Sequence, residues 1–505
     1  MTGGASEQEQ RQGIADALTG AELTHEELWL RYFGLGGTAG LMELEAYVHD
    51  LMPLPAGERD MLAHAVNERL TELAGPGPAP YSRPLREAPP ADGPLPALVG
   101  LLKGARLAPP EDLPVLAAAA GRTLDTQIVV YLVDYAQREL TPLPHPDLPG
   151  EGQRLDVDSS LAGRAFRRTE VVASSADGTP RLWVPLLDGA ERLGVLEVAL
   201  GDVADLYDLM LREQLTWVGA QLGHLLTALS GYGDSLHAPR LSRVRTPAAE
   251  LIWSLLPPLA AGTAGFSVAG LVEPSSEVGG DAFDYALAAT SVSLAILDGM
   301  GHGLAAGLMA SAALVASRAV RRDGGSVDEQ ARAIDDALAE QYPDALVTGV
   351  LAELDLTTGQ LRYVAAGHPH PLLLRRGQVV KALEGGRRTP FGVDGRQFSV
   401  GEEHLERGDV LMLYTDGVTE ARDADGGLFG EQRLIDFLER EAASGHPPSE
   451  SVRRLMHAVL SHQDGILRDD ATVLLARWDA TNGHRLEREA ATSPIEAAAV
   501  REQGR

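Results

Sequence analysis

The chain contains no cysteine in 505 residues, which excludes disulfides, thiolate metal sites and a cysteine nucleophile together. Lysine is nearly absent too, with two in the whole sequence, and 43 basic residues face 72 acidic ones for a formal charge of −29. A surplus of that sign argues against nucleic acid or an anionic membrane as a partner. Apolar runs of about 18 residues without a charge do not stand out, so no membrane span is expected. The polar stretch Met1–Gln12 lacks the positive-then-apolar pattern of a secretion signal, and a cytoplasmic location is the expectation. What is present is ordinary for a globular chain, 44% apolar and 23% charged. The length predicts roughly two to four domains with ample core. Abundant Ala, Gly, Pro, Arg and Leu with so little Lys points to a GC-rich bacterial genome.

The most informative stretch is Gly279–Gly303, GGDAFDYALAATSVSLAILDGMGHG. Ser291–Leu297 alternates, with Val292, Leu294 and Ile296 on one side and Ser293, Ala295 and Leu297 on the other, as a strand requires. That strand runs into Asp298 and a glycine-rich turn, and Asp281 opens the preceding strand after Gly279-Gly280. Folding the two segments back on each other brings Asp281 and Asp298 side by side. Adjacent carboxylates repel and desolvate badly unless they are protonated or bridged by a cation. Oxygen donors of this kind favour Mg or Mn over Zn.

Two later segments repeat the design. The apolar strand Asp409–Tyr414 ends in Thr415-Asp416-Gly417, and Arg468-Asp469-Asp470 opens the strand Ala471–Trp478. A single Asp-Gly pair is most often only a turn. Four acidic stations in order, each at the end of an apolar strand, favour a two-metal centre instead.

The ordered motifs GGDAFD (279–284), DGMGHG (298–303), YTDGVTEA (414–421) and DDATVLL (469–475), with AGHPHPLLL (366–374) and TPFGV (389–393) between them, resemble the SpoIIE-like branch of the PPM, or type-2C, metal-dependent serine/threonine phosphatases. The resemblance covers roughly residues 247–479 and implies an α-β-β-α sandwich holding two Mn2+ or Mg2+ ions. It further implies that Asp298 bridges the metals and the Gly299 carbonyl binds one of them. Asp416 and Asp469 would hold the other, and Asp281 would support the site directly or through water. Asp470 is the weaker candidate of its pair. Type-2C enzymes of eukaryotes carry a histidine two residues after the bridging aspartate, whereas this chain has Met300 there and His302 two places on. The general acid is therefore open, with water an option. Arg318, Arg387 and Arg388 are options for gripping phosphate, and His368 and His370, flanking Pro369, are read as structural.

The remaining chain organises around this unit as an α/β multidomain protein. Residues 1–74 read as a helical module, with a Thr24/Glu27 capping box before His25–Phe33. Leu41, Leu44, Val48 and Leu51 form one expected buried face, and Ala56–Leu73 a further helix with Met61, Ala65 and Leu73 on one side. Trp29, Tyr32 and Phe33 are read as a small core, and homodimerisation through these helices is an option. Residues 75–96, dense in Pro and Gly, predict an extended linker. Residues 97–230 combine helices with strands at Gln127–Val133, Leu182–Leu187 and Gly194–Leu200. SLAGRAFR (160–167) with LWVPLLDGAERLGVLEVAL (182–200) resembles GAF sensory domains, which implies a possible small ligand. A second linker is expected at 231–246, and a disordered tail at 480–505. The helix Pro247–Leu256, with Leu251, Trp253 and Leu255, stands where SpoIIE-like enzymes place a helix that can switch activity.

The function these readings imply is hydrolysis of phosphoserine or phosphothreonine on a partner protein, by resemblance an anti-sigma-factor antagonist, under control of the N-terminal segments. An inactive sensory scaffold and a hydrolase of small phosphate esters are the alternatives.

Overall fold

The computed structural model describes residues 7–73, 93–144, 152–175, 178–241, 245–263, 265–273, 279–342, 344–393, 398–465 and 467–479. Most of the expected Pro/Gly linker, 75–92, and the expected tail, 480–505, lie outside the described residues. The chain divides into two compact units, Met1–Pro90 and Ala91–Arg505.

The first unit holds four helices, α1 (Glu7–Gly20), α2 (His25–Gly34), α3 (Leu41–Val48) and α4 (Ala56–Glu72). Thr24 and Glu27 close the capping box of α2 from both directions. The core is built from Ile14, Leu28, Tyr32, Leu44, Tyr47, Leu62 and Val66. Leu51 does not join it: α3 ends at Val48 and Asp50 takes a positive φ of 61°, so the chain turns and leaves Leu51 79% exposed. Tyr47 is buried in its stead. Leu73, just past α4, is exposed, and Leu62, Ala63, Ala65, Val66 and Leu70 form the buried face of that helix. Of the expected aromatic core only Tyr32 is fully buried; Phe33 is exposed and stacks on the partly buried Trp29.

In the second unit the N-terminal half is a six-stranded antiparallel sheet. Its elements are α5 (Pro94–Ala105), α6 (Leu113–Thr123), β1 (Gln127–Val133), β2 (Glu139–Pro142), β3 (Leu155–Asp156), α7 (Leu161–Arg168), β4 (Val172–Ser174), β5 (Arg181–Asp188), β6 (Glu191–Ala199) and α8 (Leu209–Ser230). Strands run in the order β3-β2-β1-β6-β5-β4. One face packs on α5, α6 and α8 through Leu101, Leu113, Leu196, Leu215 and Leu222. The other face carries Tyr131, Trp183 and Val195, which pack with Phe166 of α7.

The C-terminal half is a two-sheet sandwich. It comprises α9 (Pro247–Leu255), β7 (Ala260–Thr263), β8 (Phe266–Glu273), β9 (Asp281–Leu287), β10 (Ser291–Gly299), α10 (Gly303–Arg322), α11 (Val327–Gln341), β11 (Val347–Asp355), β12 (Gln360–Ala366), β13 (Leu372–Arg375), β14 (Gln378–Ala382), β15 (Arg387–Arg388), β16 (Gly401–His404), β17 (Val410–Tyr414), α12 (Asp416–Thr419), α13 (Glu431–Ser444), α14 (Pro448–His462) and β18 (Ala471–Trp478). One sheet runs β15-β12-β11-β10-β9 with β16 paired to β12, the other β14-β13-β17-β18-β8-β7.

The alternation in β10 decides how the layers stack. Val292, Leu294 and Ile296 enter the core between the sheets, while Ala295 and Leu297 face α10 and α11. Truncating a buried residue such as Ile296 to Ala removes about 2–5 kcal/mol of stability. On α10, Ala306, Gly307, Ala310, Ala313 and Leu314 are buried, whereas Leu308 and Val315 are 39% and 51% exposed. Small residues let the helix approach the sheet closely, and that close approach turns the larger ones outward. By length and composition alone α10 could cross a membrane; here it is a helix of the sandwich, packed on β10, α9 and α11.

The two halves of this unit are joined by buried charge. Arg192 donates to Glu450 at 2.9 Å, to Gln137 Oε1 at 2.7 Å and to the Ser449 carbonyl at 2.9 Å. Arg453 donates to Glu450 at 2.8 Å and to Asp158 at 2.6 Å. Glu191 accepts the Ala260 N–H at 2.5 Å, and Trp253 of α9 packs on Tyr135 with ring centroids 4.9 Å apart. Where described, the expected linker 231–246 is also packed: Leu236 is buried, and Arg240 lies over the Tyr135 ring and donates to the Val133 carbonyl.

Candidate metal centre

β9 and β10 pair antiparallel with Asp281 directly opposite Asp298, and Thr348 of β11 stands opposite Asp298 on its other side. The second sheet closes on the same spot from the ends of β17 and β18. Thr415 donates its hydroxyl to Asp281 Oδ2 at 2.7 Å, and its own Oγ1 accepts the Thr472 N–H at 2.9 Å. The Asp470 carboxylate accepts the Gly280 N–H at 3.0 Å. These bonds sew the two sheets together at their acidic ends.

Glycine is required where the backbones meet. A Cβ on Gly280 would lie 2.3 Å from the Gly299 carbonyl oxygen, and one on Gly417 would lie 1.9 Å from the Asp470 carbonyl oxygen. Any larger residue would wedge the carboxylates apart.

The electrostatics are those of unneutralised acid. Burial first, then the Asp298 and Asp470 charges, push the Asp281 pKa well above the usual carboxylate range. Burial, then Asp416, Asp469 and Asp470, push Asp298 up to about 7. Asp416 is raised by the same causes, burial first and Asp469 next. The neighbouring arginines do not supply the missing charge. Arg318 and Arg321 are committed to Asp284, at 2.7 and 2.8 Å. Arg388 pairs with Asp335 at 2.7 Å, so neither Arg318 nor Arg388 is placed to grip phosphate in the way the sequence suggested. Arg387 is exposed.

Of the residues expected from sequence, Asp281 is buried, Asp298 is half-buried with the Gly299 backbone beside Gly280, and Asp416 and Asp469 are exposed at the rim. Asp470, the weaker candidate, is buried between Gly280 and the central pair. Met300 is 52% exposed, and His302 lies exposed at the N-terminal boundary of α10. Among the described residues no three carboxylate or imidazole groups close into a ready-made metal cage. The cluster is an open cleft of acids whose mutual repulsion lacks a counter-ion. Its donors are oxygens throughout, which fits hard divalent cations and excludes a soft thiolate metal site.

Sequence reasoning passed over the threonines, Thr348, Thr415 and Thr472, and treated His368 as structural. The available signal was positional: Thr415 and Thr472 each lie within two residues of an acidic station, while Thr348 is distant in sequence and visible only in strand register.

Residues 288–479 match the family described as Stage II sporulation protein E (SpoIIE). Over 211 residues, 40% of this chain, the sequence is 28% identical to phosphoserine phosphatase RsbU of Bacillus subtilis (strain 168) and covers 61% of that protein. It is 25% identical over 208 residues to stage II sporulation protein E of the same organism, covering 24% of it. Among solved structures, the RsbU and RsbW domains of Rv1364c from Mycobacterium tuberculosis are 27% identical, with 43% of this chain and 61% of that chain covered and a TM-score of 0.39. The chain thus spans about three-fifths of the length of the RsbU relative and of the Rv1364c chain. The sandwich at the C-terminal end of this chain is a SpoIIE-family phosphatase domain of the PP2C/PPM type.

Proposed function

We propose that this chain is a metal-dependent protein serine/threonine phosphatase. The observation that carries the reading is the buried Asp281–Asp298 pair, paired strand to strand and left without a cationic side chain. The residues fit two Mn2+ or Mg2+ ions, with Asp281, Asp298, Asp416, Asp469 and the Gly299 carbonyl as the holding groups. Bound there, such ions would clamp phosphoryl oxygens and lower the pKa of a coordinated water.

The chain's own residues set the frame for that chemistry. Thr415 holds Asp281 in one orientation from the facing sheet. Asp470 fixes the Gly280 backbone and so the turn that presents Asp281. The rim acids Asp416 and Asp469 leave the cleft open to a protein substrate. With Met300 two places after Asp298, the proton for the leaving serine or threonine oxygen would come from water or from His302, exposed at the start of α10.

The substrate we propose is a phosphoserine or phosphothreonine on a separate signalling protein, of the anti-sigma-factor antagonist class. The RsbU relative's designation as a phosphoserine phosphatase supports it. The half of the second unit built on β1–β6 is proposed as a GAF-like regulatory domain, acting through its buried joint with α14 and α9. Exposed Leu30, Phe33 and Met42 offer the N-terminal helices a surface for homodimerisation. A cytoplasmic site of action belongs to the same proposal.

The test is phosphate release from a phosphoserine protein with and without Mn2+, comparing wild type with Asp298→Asn and with a small aryl phosphate as control. Metal-dependent release from the phosphoprotein that the variant abolishes supports the reading. Release from the small ester alone would replace it with a metabolite hydrolase, and a folded wild type that binds no Mn2+ would leave a scaffold.

A further inference from the structure

The two central aspartates are each backed by a threonine that is itself held from behind. Behind Asp281 stands Thr415, whose Oγ1 accepts the Thr472 N–H. Behind Asp298 stands Thr348, whose Oγ1 lies 3.5 Å from Asp298 Oδ2 and 2.8 Å from His368 Nδ1. In the first case the group that fixes the threonine is a backbone amide; in the second it is an imidazole. The same device is built twice, from elements distant in sequence.

His368 is placed for that task by its surroundings. It follows Gly367, which sits at a φ of +60° against Pro390 just beyond the end of β12. The side chain is buried, and burial pushes its pKa down to about 3, so the ring is neutral and carries one proton. Nε2 has no hydrogen bond of acceptable geometry, although a backbone hydrogen bond with Tyr414 opposes part of the downward shift. The Thr348 hydroxyl is the well-formed polar contact of Nδ1. With the ring proton on Nδ1, it is donated to Thr348 Oγ1. The single hydroxyl proton of Thr348 is then free for Asp298. The opposite tautomer would take that proton for Nδ1 and leave Asp298 with nothing.

We propose that Thr348 and His368 are positioning residues that aim the Asp298 carboxylate at a divalent cation, His368 acting through Thr348. This rests on the metal-centre reading above. Partners behind a metal ligand fix its orientation, and their loss typically weakens metal binding by about 10–100-fold. The 3.5 Å separation is long for a hydroxyl–carboxylate bond, and a bound cation that fixes the carboxylate in one orientation should shorten it.

The experiment is calorimetric titration of the full chain with Mn2+ in the absence of any substrate, with the melting temperature of each metal-free variant as the folding control. Thr348→Val should weaken Mn2+ binding by about 10–100-fold, whereas Thr348→Ser, which keeps the hydroxyl, should stay within a few-fold of wild type. His368→Leu should weaken binding in the same way and His368→Asn should largely restore it, because the amide can still donate to Thr348. A folded Thr348→Val with wild-type affinity overturns the proposal while leaving the metal centre standing. Wild type that binds no Mn2+ overturns the metal centre and this inference together. Should Thr348→Val not fold, equal affinities for His368→Leu and wild type overturn the proposal by themselves.

Discussion

The second unit buries two sets of charged side chains, and their contrast separates a joint from a reactive site. At the seam between its halves, Arg192, Glu450 and Arg453 are each no more than 3% exposed, and acid alternates with base. Glu450 and Asp158, the latter on the half-exposed edge, each pair with a guanidinium, whereas Glu191 of the same joint accepts the Ala260 N–H and is raised by burial to about 7. Arg453 at Asp158, and Arg453 with Arg192 at Glu450, hold both acids below their usual range although burial pushes Glu450 the other way. At the acidic cleft the charges share one sign, and Asp281, Asp298 and Asp416 all move up. Burial is common to both places. The sign pattern differs: guanidiniums meet acids at the seam, and acids meet acids at the cleft.

The sharpest way to break the contrast is in activity. Asp298→Asn should lower Mn2+-dependent phosphate release by more than the roughly 100-fold upper range for residues behind a ligand, while the same change at the seam-edge residue Asp158 should leave turnover largely intact. Steady-state rates on one phosphoprotein compare them directly. In stability the order reverses. Arg453→Met or Glu450→Leu alone leaves a buried charge unpaired and should cost about 3–5 kcal/mol, read as a fall in the urea midpoint. Replacing Arg192, Glu450 and Arg453 together by apolar residues should cost much less than either single change, or nothing.

A pH series sharpens the comparison. Burial and the neighbouring acids raise the folded pKa of Asp298 from the usual 3.8 to about 7, so its contribution to stability is full below about pH 4 and is lost as pH rises through 7. The metal-free protein should therefore lose on the order of 1–3 kcal/mol across that interval, less than the unscreened shift because the cleft is partly wet. Saturating Mn2+ should flatten the slope. At the seam Asp158 and Glu450 have the opposite sense: they stabilise above their unfolded values and stop doing so as pH falls through their lowered folded ones, while Glu191, raised to about 7, titrates in the sense of Asp298. Denaturant titrations in EDTA and in Mn2+ at several pH values separate the two. The smallest effect is expected at Trp253, which packs on Tyr135 and lies under Arg245. Trp253→Ala should remove about 0.5–2 kcal/mol and loosen the contact between α9 and the β1–β6 half. A change in basal turnover with the fold retained would support control through α9; unfolding alone would count against it.

Much of this was legible in the sequence because it is local. The strand Ser291–Gly299 follows from a two-residue alternation, and its two faces go where that alternation sends them, one between the sheets and one under α10 and α11. The Thr24/Glu27 box and the strand Ala471–Trp478 were readable for the same reason. The errors are also instructive. Leu51 was given to a helix that a positive φ at Asp50 had already ended. Thr348 and His368 had no spacing signal, since what unites them with Asp298 is register and contact in the folded chain.

The sequence by itself determined the inventory. It specified which strands end in acid, that no thiol takes part, and that the acids outnumber nearby bases, because composition and short-range periodicity are properties of the chain before it folds. Only the tertiary structure decided which charges meet. It sent Arg318 and Arg321 to Asp284 and Arg192 and Arg453 to Glu450, and left Asp281 facing Asp298 with threonines behind them. Pairing of charges depends on distance and shared burial, and residues up to 295 positions apart, such as Asp158 and Arg453, acquire those only when the sheets close.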